Sequence, residues 1–408
     1  MNKLNQKIPE GWSVKKGKDI SSLITKGASP KWQGFEYCDS GTLFVTSENV
    51  RDGFLDISNP KFLPNAFSEK QKRSKLKNGD ILINIVGASI GRSCLYNKDI
   101  PANINQAVCL FRCNSAAHNL YTLLYLSLPK TIRTLLETQT ESARPNLSLS
   151  DISLLNFLLP PLPEQEKIAE ILGVWDEAIE KLSGLIEQKK LLKKGMMQKL
   201  LTGKTRLSGF TQPWKEVKLG DIMHEHLQTS SGNEVVCSVS VHKGVVDQIE
   251  HLGRSFSAAN TSNYNLVHYG DVIYTKSPTG DFPYGIFKQS QQKNDVIVSP
   301  LYGVFTPSSY ALGYILDAYF SYPINMNNYL RPIIQKGAKN TINITNKTFL
   351  SRSLFLPTDI SEQQAIADVL STADDEINLL NQKLEALKEQ KKGLMQRLLT
   401  GQIRVKVN

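Results

Sequence analysis

The chain has no run of 18 or more apolar residues, so it contains no segment able to cross a bilayer as a helix. Its opening stretch, Met1 to Glu10, is polar and without the apolar core of a secretion signal. Cysteine is scarce and odd in number: Cys38, Cys94, Cys109, Cys113 and Cys237, with no C-x-x-C spacing. That argues against a disulfide framework and a structural zinc site, and it points to the reducing cytoplasm. Histidine is rare, at 6 residues, and His224, His226, His242, His251 and His268 are scattered without an acidic or cysteine cluster, so no metal site is expected. Cys109 and Cys113 read as packed thiols. Neither a dinucleotide-binding loop nor a P-loop occurs, no nucleophile elbow is read from the chain, and the Asn- or Asp-Pro-Pro-aromatic motif of an amino-methyltransferase is missing. These absences favour a protein that binds over one that reacts.

What is present is a globular composition: 40% hydrophobic and 21% charged residues, which excludes wholesale disorder. A length of 408 residues suggests two to four domains. The chain also repeats itself. Glu164-Gln165-Glu166-Lys167-Ile168-Ala169 returns as Glu362-Gln363-Gln364-Ala365-Ile366-Ala367. Gly195 to Gly203 (GMMQKLLTG) returns as Gly393 to Gly401 (GLMQRLLTG), at the same offset of 198 residues. Upstream, Trp12 and Asp19-Ile20 match Trp214 and Asp221-Ile222 at offset 202, and Gly79-Asp80 matches Gly270-Asp271 at offset 191. The chain is a tandem duplication with four parts: variable modules at residues 1–160 and 204–358, constant modules at 161–203 and 359–408.

In the constant modules, Ile168, Leu172, Trp175, Ile179, Leu182 and Ile186 are spaced 4, 3, 4, 3, 4, and Ile366, Leu370, Ala373, Ile377, Leu380, Leu384, Leu387, Leu394 and Leu398 continue the pattern in the second copy. This heptad seam predicts long helices that pack on a partner. Pro163 marks one start, Ser361 with Gln364 has the form of a capping box at the other, and Gly203 and Gly401 mark the stops. Each helix of about 38 residues spans roughly 57 Å. Pairing the two copies antiparallel covers both stripes and makes an intramolecular rod; a generic dimerising coiled coil is the bland alternative. Leu191, Leu192 and Met197 lie off the seam, either to dock another protein or as ordinary core.

The variable modules show short β-rich runs (Thr42–Thr46, Asp80–Val86, Val108–Arg112; Val235–Val241, Asp271–Thr275, Val296–Val298, Tyr302–Thr306) and helical stretches at Leu120–Glu137 and Leu312–Leu330, a mixed α/β pattern. Net charge is +7 over residues 1–160, 0 over 161–203, +4 over 204–358 and −1 over 359–408, for a total of +10. The positive excess sits in the variable modules, as expected of phosphate binders, although a modest excess also serves solubility.

The repeated helix, with Glu-Gln then Ile-Ala near its start, Asp176 or Asp374 in its middle and Leu-Leu-Thr-Gly at its end, flanking two divergent modules, resembles the specificity subunits of type I restriction-modification enzymes. The match covers essentially the whole chain. The resemblance implies an α+β fold: two mixed α/β target recognition domains separated by two long antiparallel coiled-coil helices in a pseudo-twofold tandem repeat. Each recognition domain would read half of a bipartite double-stranded DNA target. The helices would set the spacer and dock two modification (methyltransferase) subunits carrying S-adenosylmethionine. Two restriction (nuclease and translocase) subunits using ATP and Mg would complete a host-defence complex, and this chain would catalyse nothing. Rival readings are a single-chain methyltransferase or nuclease, and a coiled-coil adaptor without a DNA role.

Base-reading residues do not follow from a motif, so they are chosen by chemistry: loop side chains able to present donors and acceptors to base edges. In the first module these are Ser47, Asn49, Arg51, Ser89, Arg92, Asn105, Gln106, Arg144 and Asn146. In the second they are Ser238, Lys243, Lys276, Ser277, Thr279, Tyr284, Lys336 and Lys339. Arg51 and Lys243 fall at adjacent positions under the 191-residue offset, which favours that loop pair.

Overall fold

The computed structural model describes residues 8–137, 146–254, 257, 260–336 and 342–407. Two units are distinguished: residues 1–183 with 383–408, and residues 184–382. The first begins with β1 (Ser13–Lys16), β2 (Ser21–Lys26), β3 (Thr42–Val45), β4 (Phe62–Leu63), α1 (Asn65–Lys70), β5 (Asp80–Asn84), β6 (Ser93–Tyr96), β7 (Ala102–Ile104), β8 (Val108–Cys113), α2 (Asn119–Leu126), α3 (Pro129–Glu137), α4 (Leu149–Leu154) and β9 (Asn156–Leu159). Then comes α5 (Leu162–Leu200), whose residues from Gly184 on belong to the second unit. The second unit continues with β10 (Lys215–Lys218), α6 (Leu219–Ile222), β11 (Met223–Glu225), β12 (Val235–Ser240), β13 (Gly244–Asp247), α7 (Gln248–Leu252), β14 (Asn265–Val267), β15 (Val272–Tyr274), β16 (Phe287–Gln289), β17 (Val296–Val298) and β18 (Gly303–Pro307). It closes with α8 (Tyr310–Phe320), α9 (Pro323–Leu330), β19 (Gln335–Lys336), β20 (Ile342–Asn343), α10 (Asn346–Phe349), β21 (Ser353–Leu356) and α11 (Ile360–Leu399), which returns to the first unit at Lys383. Among the described residues, no helix is long and apolar enough to cross a membrane.

The two units share a common strand order, to which the second adds β14 and the pair β19/β20. The first has the sheet β2-β8-β5-β6, a second sheet β4-β3-β7 in which β3 and β7 are parallel, and the pair β1/β9. The second has β11-β18-β15-β16, then β13-β12-β17-β14 with β12 and β17 parallel, and the pair β10/β21. The register agrees too: Ile81 faces Phe111 as Val272 faces Phe305. Side chains alternate across a strand. Ile81 and Ile83 therefore enter the main core of the first unit while Leu82 enters a smaller one; Val272 and Tyr274 divide from Ile273 in the same way. Each central strand is buried on both faces, and this fixes its register.

Within each unit the two long helices run antiparallel. In the first, Asp176 pairs with Lys391, while Ile168 and Leu172 share a core with Leu398 and Leu399. In the second, Lys189 pairs with Glu376 and Lys193 with Asp374, while Met197 and Leu200 share a core with Ile366 and Leu370. The heptad seam holds with one difference. Ile168, Leu172, Ile186, Ile366, Leu370, Ile377, Leu384 and Leu398 are buried, but Trp175, Ile179, Leu182, Ala373 and Leu380 are only half-buried, because away from a module a two-helix contact covers one side alone. Met197 is core, and Leu191 and Leu192 are exposed.

Three local expectations change. The predicted helices at 120–137 and 312–330 are each two helices, divided before Pro129 and Pro323, where the ring cannot continue the preceding hydrogen-bond ladder. α11 is not capped by a Ser361–Gln364 box: Asp359 Oδ1 accepts from Ser361 N at 2.8 Å, and Gln364 bonds Asp368 instead. Gly203 and Gly401 do stop the helices, at φ +66° and +71°.

Candidate nucleic-acid interface

Loops from four segments gather at the end of β5, organised by a buried residue that the sequence does not advertise. Asn84 donates from Nδ2 to Ser47 O at 2.9 Å and to Ser89 Oγ at 3.2 Å, and its backbone pairs with Arg92 O and Gly91 N. Beyond it, Ile85 bonds Ala107 and Leu147, and Val86 bridges Asn146. The structure thereby brings Ser47, Asn49, Arg51, Ser89, Arg92, Asn105, Gln106 and Asn146 to one loop region; Arg144 lies outside the described residues.

Two of these side chains are spent on holding the loops. Asn49 Oδ1 accepts from Thr46 N and Oγ1, and its Nδ2 donates to Asp56 O. Asn105 Oδ1 accepts from Ala107 N. Arg51 stands on the Val50–Leu55 hairpin with Nη2 3.6 Å from Asp56, and Arg92 Nε is 4.0 Å from Asp52. Both guanidiniums are half-exposed, with ample donor capacity left for a partner. Gln106 and Asn146 are exposed. Sequence reasoning passed over Phe54 at the hairpin tip and Trp32 on a short 3₁₀ turn, 60% and 88% exposed; large exposed aromatics are a signal available only once burial is known.

Gly87-Ala88-Ser89-Ile90-Gly91 does spell G-x-S-x-G, a match the sequence reading misses. It is not a nucleophile elbow. The segment is a 3₁₀ turn joining the antiparallel strands β5 and β6, not a strand-to-helix turn, and Ser89 Oγ accepts from Asn84.

In the second unit the candidates fall on two segments. Lys243 is exposed on the β12–β13 turn, the counterpart of the Arg51 hairpin, while Ser238 lies within β12 and accepts from Gln248 Nε2 at 3.1 Å. Lys276, Ser277, Thr279 and Tyr284 belong to the loop between β15 and β16, closed by paired Thr279–Phe282 backbone bonds. Lys276 holds φ +59°, a conformation unusual for a residue with a side chain. Burial lowers the affinity of its ammonium for the proton, and Glu225 opposes that shift. Lys336 lies in β19, and Lys339 is outside the described residues. Burial pushes the Cys109 thiol up to about 12 and the Cys113 thiol up to about 11, as befits packed thiols.

The repeated Glu-Gln motif has a structural role. Glu164 accepts from Trp12 Nε1 at 3.1 Å and from Arg404 Nε and Nη2 at 2.7 and 2.8 Å. Glu362 accepts from Trp214 Nε1 at 3.1 Å and from Arg206 Nε and Nη2 at 2.5 and 2.7 Å. Arg206 and Arg404 are themselves 198 residues apart, so each copy of the repeat gives its arginine to the glutamate of the other. The following glutamines reach back to the strand ends, Gln165 to Pro160 O and Gln363 to Pro357 O, both at 2.9 Å. Each clasp fastens the start of one long helix to the end of the other.

Residues 9–189 and 211–389 match the family described as type I restriction modification DNA specificity domain. A type I restriction enzyme MjaVIII specificity subunit from Methanocaldococcus jannaschii is 26% identical, over 98% of this chain and 95% of the relative. Two crystal structures share the fold: a type I restriction-modification system S subunit from M. genitalium (TM-score 0.58, 13% identity, 97% of this chain and 98% of that one) and an HsdS subunit from Thermoanaerobacter tengcongensis (TM-score 0.50, 16% identity, 99% and 100%). The duplicated module, the reciprocal clasps and these likenesses converge: the chain belongs to the family of type I restriction-modification DNA specificity subunits, which confer sequence specificity without performing catalysis.

Proposed function

We propose that each unit reads one half of a bipartite target in double-stranded DNA, with α5 and α11 setting the unread gap. The observation that carries this is the pairing of a common strand order with two unlike loop sets: the shared strands and the clasps correspond, while Arg51 and Arg92 in one unit answer to Lys243 and Lys276 in the other. Such a pair of readers suits two different half-sites. Guanidinium and ammonium groups on turns supply both phosphate neutralisation and donors for base edges. Gln106 and Asn146, exposed beside Arg92, add amide groups suited to adenine.

As a specificity subunit the chain works with DNA and with other restriction-modification subunits. We assign two modification subunits to the helices, bringing S-adenosylmethionine, and two restriction subunits beyond them, bringing ATP and Mg, in the cytoplasm. Exposed Leu191, Leu192 and Leu379 on the long helices suit such docking.

Footprinting of the chain with its modification subunit should show two protected blocks around an unprotected spacer. One continuous block, or none, overturns the bipartite reading. Four residues inserted into both α5 and α11, adding about 6 Å to each, should lengthen the gap and leave the half-sites unchanged in a methylation map. An unchanged gap removes the helices from that role.

A further inference from the structure

Asp80 and Asp271 hold the same place in the two units. Each stands at the head of a central strand, after a glycine at φ +90° or +88° (Gly79, Gly270), and each accepts a backbone N–H from three residues earlier: Lys77 at 2.6 Å, His268 at 2.8 Å. Both are buried, at 1% and 2% exposure, and a buried carboxylate requires a compensating charge. Asp80 has one. Arg112 binds both of its oxygens at 2.7 Å, and burial opposes the Arg112 charge less than that bond favours it.

The residue in the place of Arg112 in the second unit is Thr306, next to Phe305 as Arg112 is next to Phe111. Its hydroxyl bonds Asp271 Oδ1 at 2.7 Å but brings no charge. Two imidazoles face Asp271 instead. His226 Nε2 lies 3.0 Å from Oδ2, and the His226 and His268 ring centres are 5.6 Å apart. One donor atom from each of the three residues lies within 4.8 Å of the others. Behind them, His268 Nδ1 is 2.9 Å from Asp295 Oδ1, and His268 Nε2 is 2.5 Å from Gln228 Oε1.

We propose that His226, His268 and Asp271 bind a divalent metal ion, zinc by donor chemistry. Two imidazoles and a carboxylate are a zinc donor set, and metal–ligand distances of about 2.0–2.2 Å place tetrahedral ligands roughly 3.3 Å apart, close to the His226–Asp271 separation. Asp295 supplies the outer carboxylate that orients a ligating imidazole, and His268 Nε2 turns to the ion by giving up its 2.5 Å contact with the Gln228 amide oxygen. The ion performs the task of Arg112: it cancels a buried charge and ties the segment after β11 to the turn before β15. The site is structural, and no step of DNA modification passes through it.

The full-length, untagged chain, stripped with chelator, is titrated with ZnCl2 by calorimetry and assayed for metal after desalting. One zinc per chain is expected, with a rise in thermal midpoint. His226→Gln and His268→Gln should each weaken binding at least tenfold and abolish the rise. His226 is largely buried, so His268→Gln, whose side chain is 38% exposed, is the variant that keeps its fold. Co2+ added to the unmutated chain should give the visible bands of a four- or five-coordinate nitrogen-oxygen site, a readout that needs no variant. Failure to retain zinc, or equal zinc binding by both variants, overturns the proposal.

Discussion

The two clasps and the two loop regions of this molecule follow opposite rules. Trp12, Glu164 and Arg404 repeat as Trp214, Glu362 and Arg206, with the same atoms bonded at nearly the same distances. The loops share strand order with their counterparts but almost no residues. The difference is physical. A carboxylate 1–3% exposed has few workable surroundings, and each departure strands a charge. An exposed turn between strands buried on both faces accepts many sequences, because the register beneath it is fixed by the core. Constancy and variability are thus divided by burial.

The largest effect should come from breaking a clasp. Arg206→Ala or Arg404→Ala leaves a buried glutamate with only its tryptophan N–H, at a cost of about 3–5 kcal/mol to that unit. Hydrogen exchange should show the loss at β10/β21 for Arg206 and at β1/β9 for Arg404; uniform loss in both units would contradict separate clasps. Arg112→Met should cost the first unit about 3 kcal/mol by stranding Asp80, read from denaturant unfolding, whereas Thr306→Val at the matching place removes a single hydroxyl bond to a carboxylate, about 1.5 kcal/mol. Arg51→Ala should cost about 1–3 kcal/mol of DNA binding and relax choice at one position of one half-site. A change in salt dependence with unchanged selectivity would place Arg51 on phosphate.

Lys193→Ala and Lys391→Ala, which open half-exposed ion pairs to Asp374 and Asp176, should each cost below about 1 kcal/mol in thermal unfolding. The smallest effect is local. Bonds from Ser231 and Ser230 lower the Glu234 carboxyl from 4.5 to about 2. A depressed carboxylate stabilises the fold above its unfolded value and ceases to do so as pH falls through its folded value, so the Ser230–Glu234 turn should loosen between pH 4.5 and about 2. Amide chemical shifts of Ser231 and Gly232 would follow it.

The duplication and the long helices were legible because both are statements about spacing: an offset of 198 and a period of 3.5 survive in the letters. The strands at Val296–Val298 and Val235–Ser240 were legible by composition, as β-branched runs between turn residues. What the letters hide is who meets whom. Arg404 is 240 residues from Glu164, and His226 is 45 from Asp271, so the clasps and the histidine cluster appear only after folding. Asn84 was hidden differently: inside the predicted run Asp80–Val86 it is one polar letter without a role, whereas burial makes its amide the organiser of the loops around it. Arg51 and Lys243 are chosen by chemistry, and the offset that sets them side by side is matched in the fold by a hairpin turn at each place.

The crossed ownership of the arginines has a consequence for biosynthesis. Glu362 finds Arg206 already made when it leaves the ribosome, but Glu164 waits through 240 further residues for Arg404. The module translated first is therefore completed last, and a chain cut after Thr400 loses a fastening of its opening half while the half translated just before the cut keeps its own.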